Sequence, residues 1–233
     1  MSGALYLWLD VLTILFPLLL SFDKKVAFVK GWKSVGVGFL LVGIPFIIWD
    51  VFFTKYGIWG FNPDYLVDID VFNLPIEEVL FFMVVPFSCT FIFACCRAYF
   101  GKINFSKFNL VFYAALIIYC IILLINGWGG AYTMTTIVCA VLIAPILFIN
   151  RERLHHLPIA FLISVIPFFI VNGVLTGAAT PEPIVWYNDL ENSGIRLITI
   201  PMDDIIYAWV MLSSFMLIFS RMNSVSKRES LIR

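Results

Sequence analysis

The chain has 233 residues, 62% of them apolar and 13% charged, with fifteen basic and fifteen acidic side chains and no net charge. Soluble domains carry about 25% charged and 45–50% apolar residues, so a water-soluble globular fold is excluded. The lack of a basic excess argues against nucleic acid as a partner.

A hydrocarbon core of about 30 Å takes roughly 20 apolar residues per helix. In chain order, seven segments qualify: Leu5–Ser21, Val35–Phe53, Ile76–Ala98, Phe108–Ile125, Tyr132–Ile149, Pro158–Leu175 and Met202–Phe219. The first carries Asp10 within it, has Lys24 and Lys25 just beyond it and lacks a basic n-region, so it reads as a helix rather than a cleaved signal peptide. The five cysteines all fall inside apolar runs without paired spacing, which argues against disulfides or a zinc site. His155 and His156 stand in a basic loop with no other ligand types beside them, so no metal is expected.

Basic residues set the expected orientation. Thirteen of the fifteen lie in the loops after the first, third and fifth segments and in the C-terminal tail, counting Arg97 at the end of the third; Lys55 and Arg196 are the two on the other side. The positive-inside rule then predicts a multi-pass protein of the cell (inner) membrane, N-terminus outside and C-terminus cytoplasmic, with an odd number of spans.

The halves of the chain repeat. Ile44-Pro45-Phe46 through Trp49-Asp50 aligns with Ile166-Pro167-Phe168 through Val171-Asn172 at an offset of 122. Pro75-Ile76-Glu77-Glu78 aligns with Pro201-Met202-Asp203-Asp204 at an offset of 126. The predicted fold is an all-α membrane protein of seven transmembrane helices. Residues 1–100 form a first three-helix repeat, 101–127 a connector helix and 128–233 a second repeat. One extra span between three-helix units leaves the repeats parallel, so both acidic motifs start a helix at the same face.

Pro75 and Pro201 suit the first turns of the third and seventh helices, which the four acids then share. Carboxylates there can simply complement the helix dipole, worth about 0.3–1 kcal/mol. Duplication in register, with apolar sequence following at once, points instead to a functional pair facing the bundle interior. Neighbouring helical residues point about 100° apart, so one acid of each pair can line a cavity while the other orients it. Phe81 and Tyr207 stand at i+4 from Glu77 and Asp203, and Phe82 at i+4 from Glu78, with Phe46, Trp49, Phe168, Phe169, Trp186 and Trp209 close in the pattern. They read equally as interfacial aromatics and as a π-rich wall that stabilises a cation.

The Pro75–Glu78 motif with the apolar run after it resembles the acidic motif of the membrane-integral, flavin-independent lycopene cyclases, and Pro201–Asp204 resembles that family's second-half motif. Trp49-Asp50 and Gly57–Pro63 are similar to the family's first domain, and the likeness spans roughly residues 32–219, as in the fused two-domain form. Asn172 departs from it, standing where the first half has Asp50, and so does the Asp-Asp second pair. The resemblance implies lycopene β-cyclisation, an isomerisation without net redox change or cofactor. Glu77, Glu78, Asp203 and Asp204 would be the acid–base set, with Asp50, Asn172, Trp49, Phe81, Phe82 and Tyr207 supporting it or binding substrate. The expected partners are a lipophilic carotenoid drawn from the bilayer and membrane lipid, with self-association or association with other carotenoid enzymes left open. The absence of a G-x-G-x-x-G motif agrees with this.

Four other readings differ in what they require. A prenyltransferase needs spaced acids for Mg²⁺, whereas these are adjacent. A retinal protein needs a lysine within the last helix, and Met202–Phe219 has none. A hydratase acting on the same double bond, and a hydrophobic carrier or channel, stay open.

Overall fold

The computed structural model describes residues 3–229, which fold into seven helices joined by loops that hold six short strands. The helices are α1 (Leu5–Leu20), α2 (Phe28–Lys55), α3 (Ile76–Tyr99), α4 (Ser106–Asn126), α5 (Ala131–Ile149), α6 (Leu157–Leu175) and α7 (Asp203–Glu229). Six are long and apolar enough to cross a membrane; α1, at 16 residues, is shorter. The protein is thus a mostly helical membrane protein. Arg233, part of the expected basic tail, lies outside the described residues.

Helix α2 starts seven residues earlier than its apolar pattern suggests, because a 3-10 turn at Phe28–Gly31 runs directly into it. Pro45 has no N–H for the carbonyl of Leu41, and the backbone widens into a π turn over Phe39–Gly43 just before it.

Helices α3 and α7 form the buried centre, while α4 packs chiefly on α5 and buries only Leu123. Helix α3 packs against α1 and α6, and α7 against α5 and α2. Each central helix therefore takes one large neighbour from its own half of the chain and one from the other. The α2–α7 approach is close because glycines line it: a Cβ on Gly31 would stand 2.4 Å from the Phe219 ring, and one on Gly38 2.7 Å from Phe215. Without a hydrophobic drive between helices in lipid, such small-residue contacts let dispersion hold them together.

The strands lie in the loops after α2 and α6. In chain order they are β1 (Trp59–Phe61), β2 (Asp70–Val71), β3 (Leu74–Pro75), β4 (Val185–Tyr187), β5 (Arg196–Leu197) and β6 (Ile200–Pro201). Strands β2–β3 and β5–β6 are the same hairpin built twice, with Phe72 and Ile198, 126 residues apart, both at positive φ at the tip. Strand β1 pairs antiparallel with β4 and ties the halves together: Trp59 faces Tyr187, Gly60 faces Trp186 and Phe61 faces Val185. Gly60 admits the Trp186 indole, which a Cβ there would meet at 2.4 Å.

Candidate active site

The two prolines sit just outside the helices rather than in their first turns. Pro75 is the extended residue before α3 and Pro201 ends β6, so each hairpin leads straight into a catalytic-candidate helix. The acids follow in the first turn of each helix, and all four are buried.

Within each pair the members do different things, as the 100° step between them requires. Glu77 turns back to the loop and accepts the Val67 N–H at 2.8 Å. Asp203 does the same at the equivalent place, accepting the Ser193 N–H at 3.1 Å and also the hydroxyls of Ser193 and Thr133. Glu78 and Asp204 turn inward. The Tyr6 hydroxyl donates to Glu78 at 2.6 Å, and the Tyr132 hydroxyl donates to Asp204 at 2.6 Å.

The second neighbour of each inward acid differs. The Asp50 carboxyl lies within electrostatic reach of Glu78; one of its oxygens accepts from the Trp59 indole N–H and from Thr54 at 3.3 Å, and the other is buried without a hydrogen-bond partner among the described residues. A carboxylate only accepts, so Asp50 and Glu78 can bond to each other only when one of them carries a proton. Asn172 holds the matching place in the second half, and its amide donates to Asp204 at 2.7 Å. Tyr187 adds a third donor to Asp204 at 3.2 Å. Burial and the nearby Asp204 carboxylate push the Tyr187 hydroxyl well above its ordinary pKa, so it stays a donor. Three donors and no carboxyl neighbour at hydrogen-bond distance give Asp204 the surroundings of an anion.

Glu78 and Asp204 line one cavity of about 50 Å³, with Tyr6, Trp59, Tyr132, Tyr187 and Tyr207 around them. The rings interlock: Trp59 lies 5.1 Å from Tyr132 and 6.1 Å from Tyr207, both edge-on. The Tyr207 hydroxyl is buried without a hydrogen-bond partner among the described residues. Such a wall presents π faces and oxygen lone pairs, and it can solvate a carbocation without offering it water.

Of the aromatic residues expected from the sequence, Phe81, Phe168 and Tyr207 line this cavity. Trp49 backs it, 5.1 Å from the Tyr207 ring, and Phe82 packs behind on Phe46 and Phe81. Trp209 faces Phe112, Tyr113 and Phe161, Trp186 lies over Gly60 and is partly exposed, and Phe169 borders a separate fissure on the far side of α6. Sequence reasoning missed Tyr6, Tyr132, Trp59 and Tyr187. Tyr6 and Tyr132 were findable, since they stand 126 residues apart, the offset of the acidic motifs. Asp10 was noticed but given no role; it is buried one turn after Tyr6, within electrostatic reach of Glu77. Among the described residues no group of three or more His, Cys, Asp or Glu side chains is placed to hold a metal.

No curated protein and no solved structure matches the chain. The family model described as lycopene cyclase matches twice, over residues 3–96 and 129–222. Each match covers one repeat and includes its tyrosine and acid pair, and the two starting points are 126 residues apart. With most of its length matched in this way, the chain belongs to the lycopene cyclase family.

Proposed function

We propose that this chain is a lycopene β-cyclase, turning linear lycopene ends into β-ionone rings by proton-initiated cyclisation. The observation that carries the reading is the meeting of Glu78 and Asp204 in one aromatic cavity. In this reading Glu78 is held in its acid form by burial and the neighbouring Asp50 carboxyl, and its proton goes to the terminal double bond and leaves a tertiary cation. The π electrons of the nearby trisubstituted alkene close the ring and move the charge onto a ring carbon. Asp204 removes a proton next to that carbon, and those C–H electrons become the ring double bond. The substrate gains one proton and loses one, so the reaction is an isomerisation. Glu77 and Asp203 hold the helix starts against the hairpins, and Asp50 and Asn172 set the protonation of the inward acids. Trp59, Tyr132 and Tyr207 flank the cation.

A pocket for a ligand of this size has a volume of about 300–1,000 Å³, so the cavity has to widen when lycopene arrives. Phe81, Phe168 and Met211 border it on the side away from the hairpins and are the side chains that have to turn aside. The carotenoid reaches them laterally from the bilayer.

The same reading takes α1 as a seventh span, residues 1–100 and 128–233 as parallel repeats about an axis normal to the membrane, and 101–127 as the connector. Its support is the β1–β4 ribbon, in which Gly60 and Trp186, equivalent at the 126 offset, face each other. The distribution of basic residues supports an outside N-terminus and a cytoplasmic C-terminus in the cell membrane. Expression in a lycopene-accumulating bacterial host, followed by pigment chromatography, tests the activity. β-Carotene is the expected product. Hydroxylated lycopene would point to a hydratase, and unchanged lycopene would refute the reading.

A further inference from the structure

A second, larger cavity of about 1260 Å³ lies apart from the acids, between α4, α5 and α7. It exists because α4 stands off from the centre, held to the start of α7 by the Tyr119 hydroxyl on the Met202 carbonyl at 2.7 Å. Its walls are apolar, with Leu116 and Ile117 of α4 facing Ala140 and Ala144 of α5 across the Trp209 ring of α7. Trp209 points away from the catalytic cavity, which its neighbours Ala208 and Met211 line, so the two spaces lie on opposite faces of α7.

One end of this groove is polar. Arg97, Lys102 and Arg151 converge on it, with Glu152 the acid among its lining residues. Arg97 is half-buried, and neither it nor Lys102 forms an ion pair among the described residues; the Arg151–Glu152 pair is loose, at 3.9 Å. Asn109 donates to the His155 carbonyl, while its own buried Oδ1 has no partner among the described residues. Burial holds the His156 ring below its ordinary pKa, so it adds a hydrogen-bonding group rather than a charge. Basic residues gather at the cytoplasmic ends of helices in most membrane proteins. Lys24, Lys25, Lys30 and Lys33 fit that general pattern and are not among the residues lining the groove. Arg97, Lys102 and Arg151 instead meet at the mouth of an apolar slot wide enough for acyl chains.

We propose that this groove is a binding site for an anionic phospholipid, its acyl chains between α4 and α5 and its phosphate at Arg97, Lys102 and Arg151. Basic pockets between membrane helices suit such headgroups. A carotenoid fits the observations less well, since a hydrocarbon gains nothing from three cations. The proposal does not depend on the cyclase reading.

The full chain is reconstituted in vesicles of equal parts phosphatidylglycerol and phosphatidylcholine, extracted in mild detergent, and its retained lipid measured by mass spectrometry. Phosphatidylglycerol should be enriched on the wild-type protein. The exposed double variant K102Q/R151Q should lose about fivefold of that preference per charge removed. A144W, which fills the slot and leaves the rim intact, should lower retention of phosphatidylglycerol too. Equal retention of both lipids by the wild type would overturn the proposal. So would unchanged enrichment in K102Q/R151Q, or in A144W with its melting temperature intact.

Discussion

Tyr6 donates its hydroxyl to Glu78 at 2.6 Å across 72 residues of chain, and Tyr132 reaches Asp204 at the same distance across the same 72 residues. The first helix of each half thus holds the acid on its third helix. Loss of a hydrogen bond to a charged buried group costs about 1.5–3 kcal/mol. Tyr6→Phe and Tyr132→Phe should each lower the melting temperature. Tyr6→Phe should be the more harmful to pigment output, because Asp204 keeps Asn172 and Tyr187 as donors. Equal output from both variants at matched protein levels would count against unequal roles for the two acids.

The members of each acidic pair should separate cleanly under amide substitution. Glu78→Gln and Asp204→Asn remove the groups proposed to move protons, and acid–base catalysis contributes about 10²–10⁴-fold. Ring formation should fall near the detection limit with the protein still folded in membranes. Glu77→Gln and Asp203→Asn touch loop contacts and, for Asp203, the Thr133 hydroxyl of α5, all outside the cavity, so turnover per folded molecule should stay within a few-fold while thermal stability drops. A Glu77→Gln variant that is stable yet inactive would move the acid to the wrong member of the pair.

Asp50 and Asn172 offer a sharper test, because they are the chemical difference between two otherwise matching acid environments. Asp50→Asn replaces the carboxyl neighbour of Glu78 with an amide donor, and cyclisation should fall by at least tenfold. The double exchange D50N/N172D places the carboxyl pair in the second half instead. It should recover part of the activity lost by D50N alone, with the direction of proton flow reversed. Full activity in D50N would remove the Asp50 carboxyl from the mechanism.

Outside the helices, Arg196 donates to Asp189 near the second hairpin. Burial pushes the Asp189 carboxyl up, but hydrogen bonds from Arg196 and Asn192 outweigh it and hold the group below its ordinary pKa. With the folded value below the unfolded one, its stabilisation is present above the unfolded carboxylate value of about 3.9 and is lost as pH falls through the folded pKa. The Asp189 side chain is 57% exposed, so the pair is worth no more than about 1 kcal/mol. Hydrogen exchange at Ser193–Ile195 should quicken modestly in Asp189→Asn at neutral pH and converge with wild type in strong acid. Identical exchange at neutral pH would show that the contact holds nothing.

Much of this arrangement could be read from the chain. Spans were legible because lipid demands about twenty apolar residues per crossing, and the acids because duplication marked them. Asp50 and Asn172 were legible as partners because Ile-Pro-Phe precedes each at the same spacing. Tyr6 was hidden because a tyrosine at the end of an apolar run is ordinary at a membrane interface. Trp59 and Tyr187 were hidden because strand pairing between the halves brings them together, and no local pattern encodes that. The two offsets also have a physical origin that alignment left open. Four extra residues between Tyr6 and Asp50 are balanced by four between Asn172 and Asp204, so the acids return to the register of the tyrosines.

The interleaving of central helices bears on how the protein is made. Helix α3 meets α6, and α7 meets α2, so the first half emerges from the ribosome with one flank of its core helix uncovered. That flank stays open until α6 follows, some 76 residues after α3 ends, on the order of 4–15 s at ordinary rates of synthesis. For that interval lipid, or an insertion chaperone, has to cover a surface shaped for another helix. Loss of the second half therefore leaves no small working enzyme behind, only an unfinished membrane intermediate open to quality-control proteases.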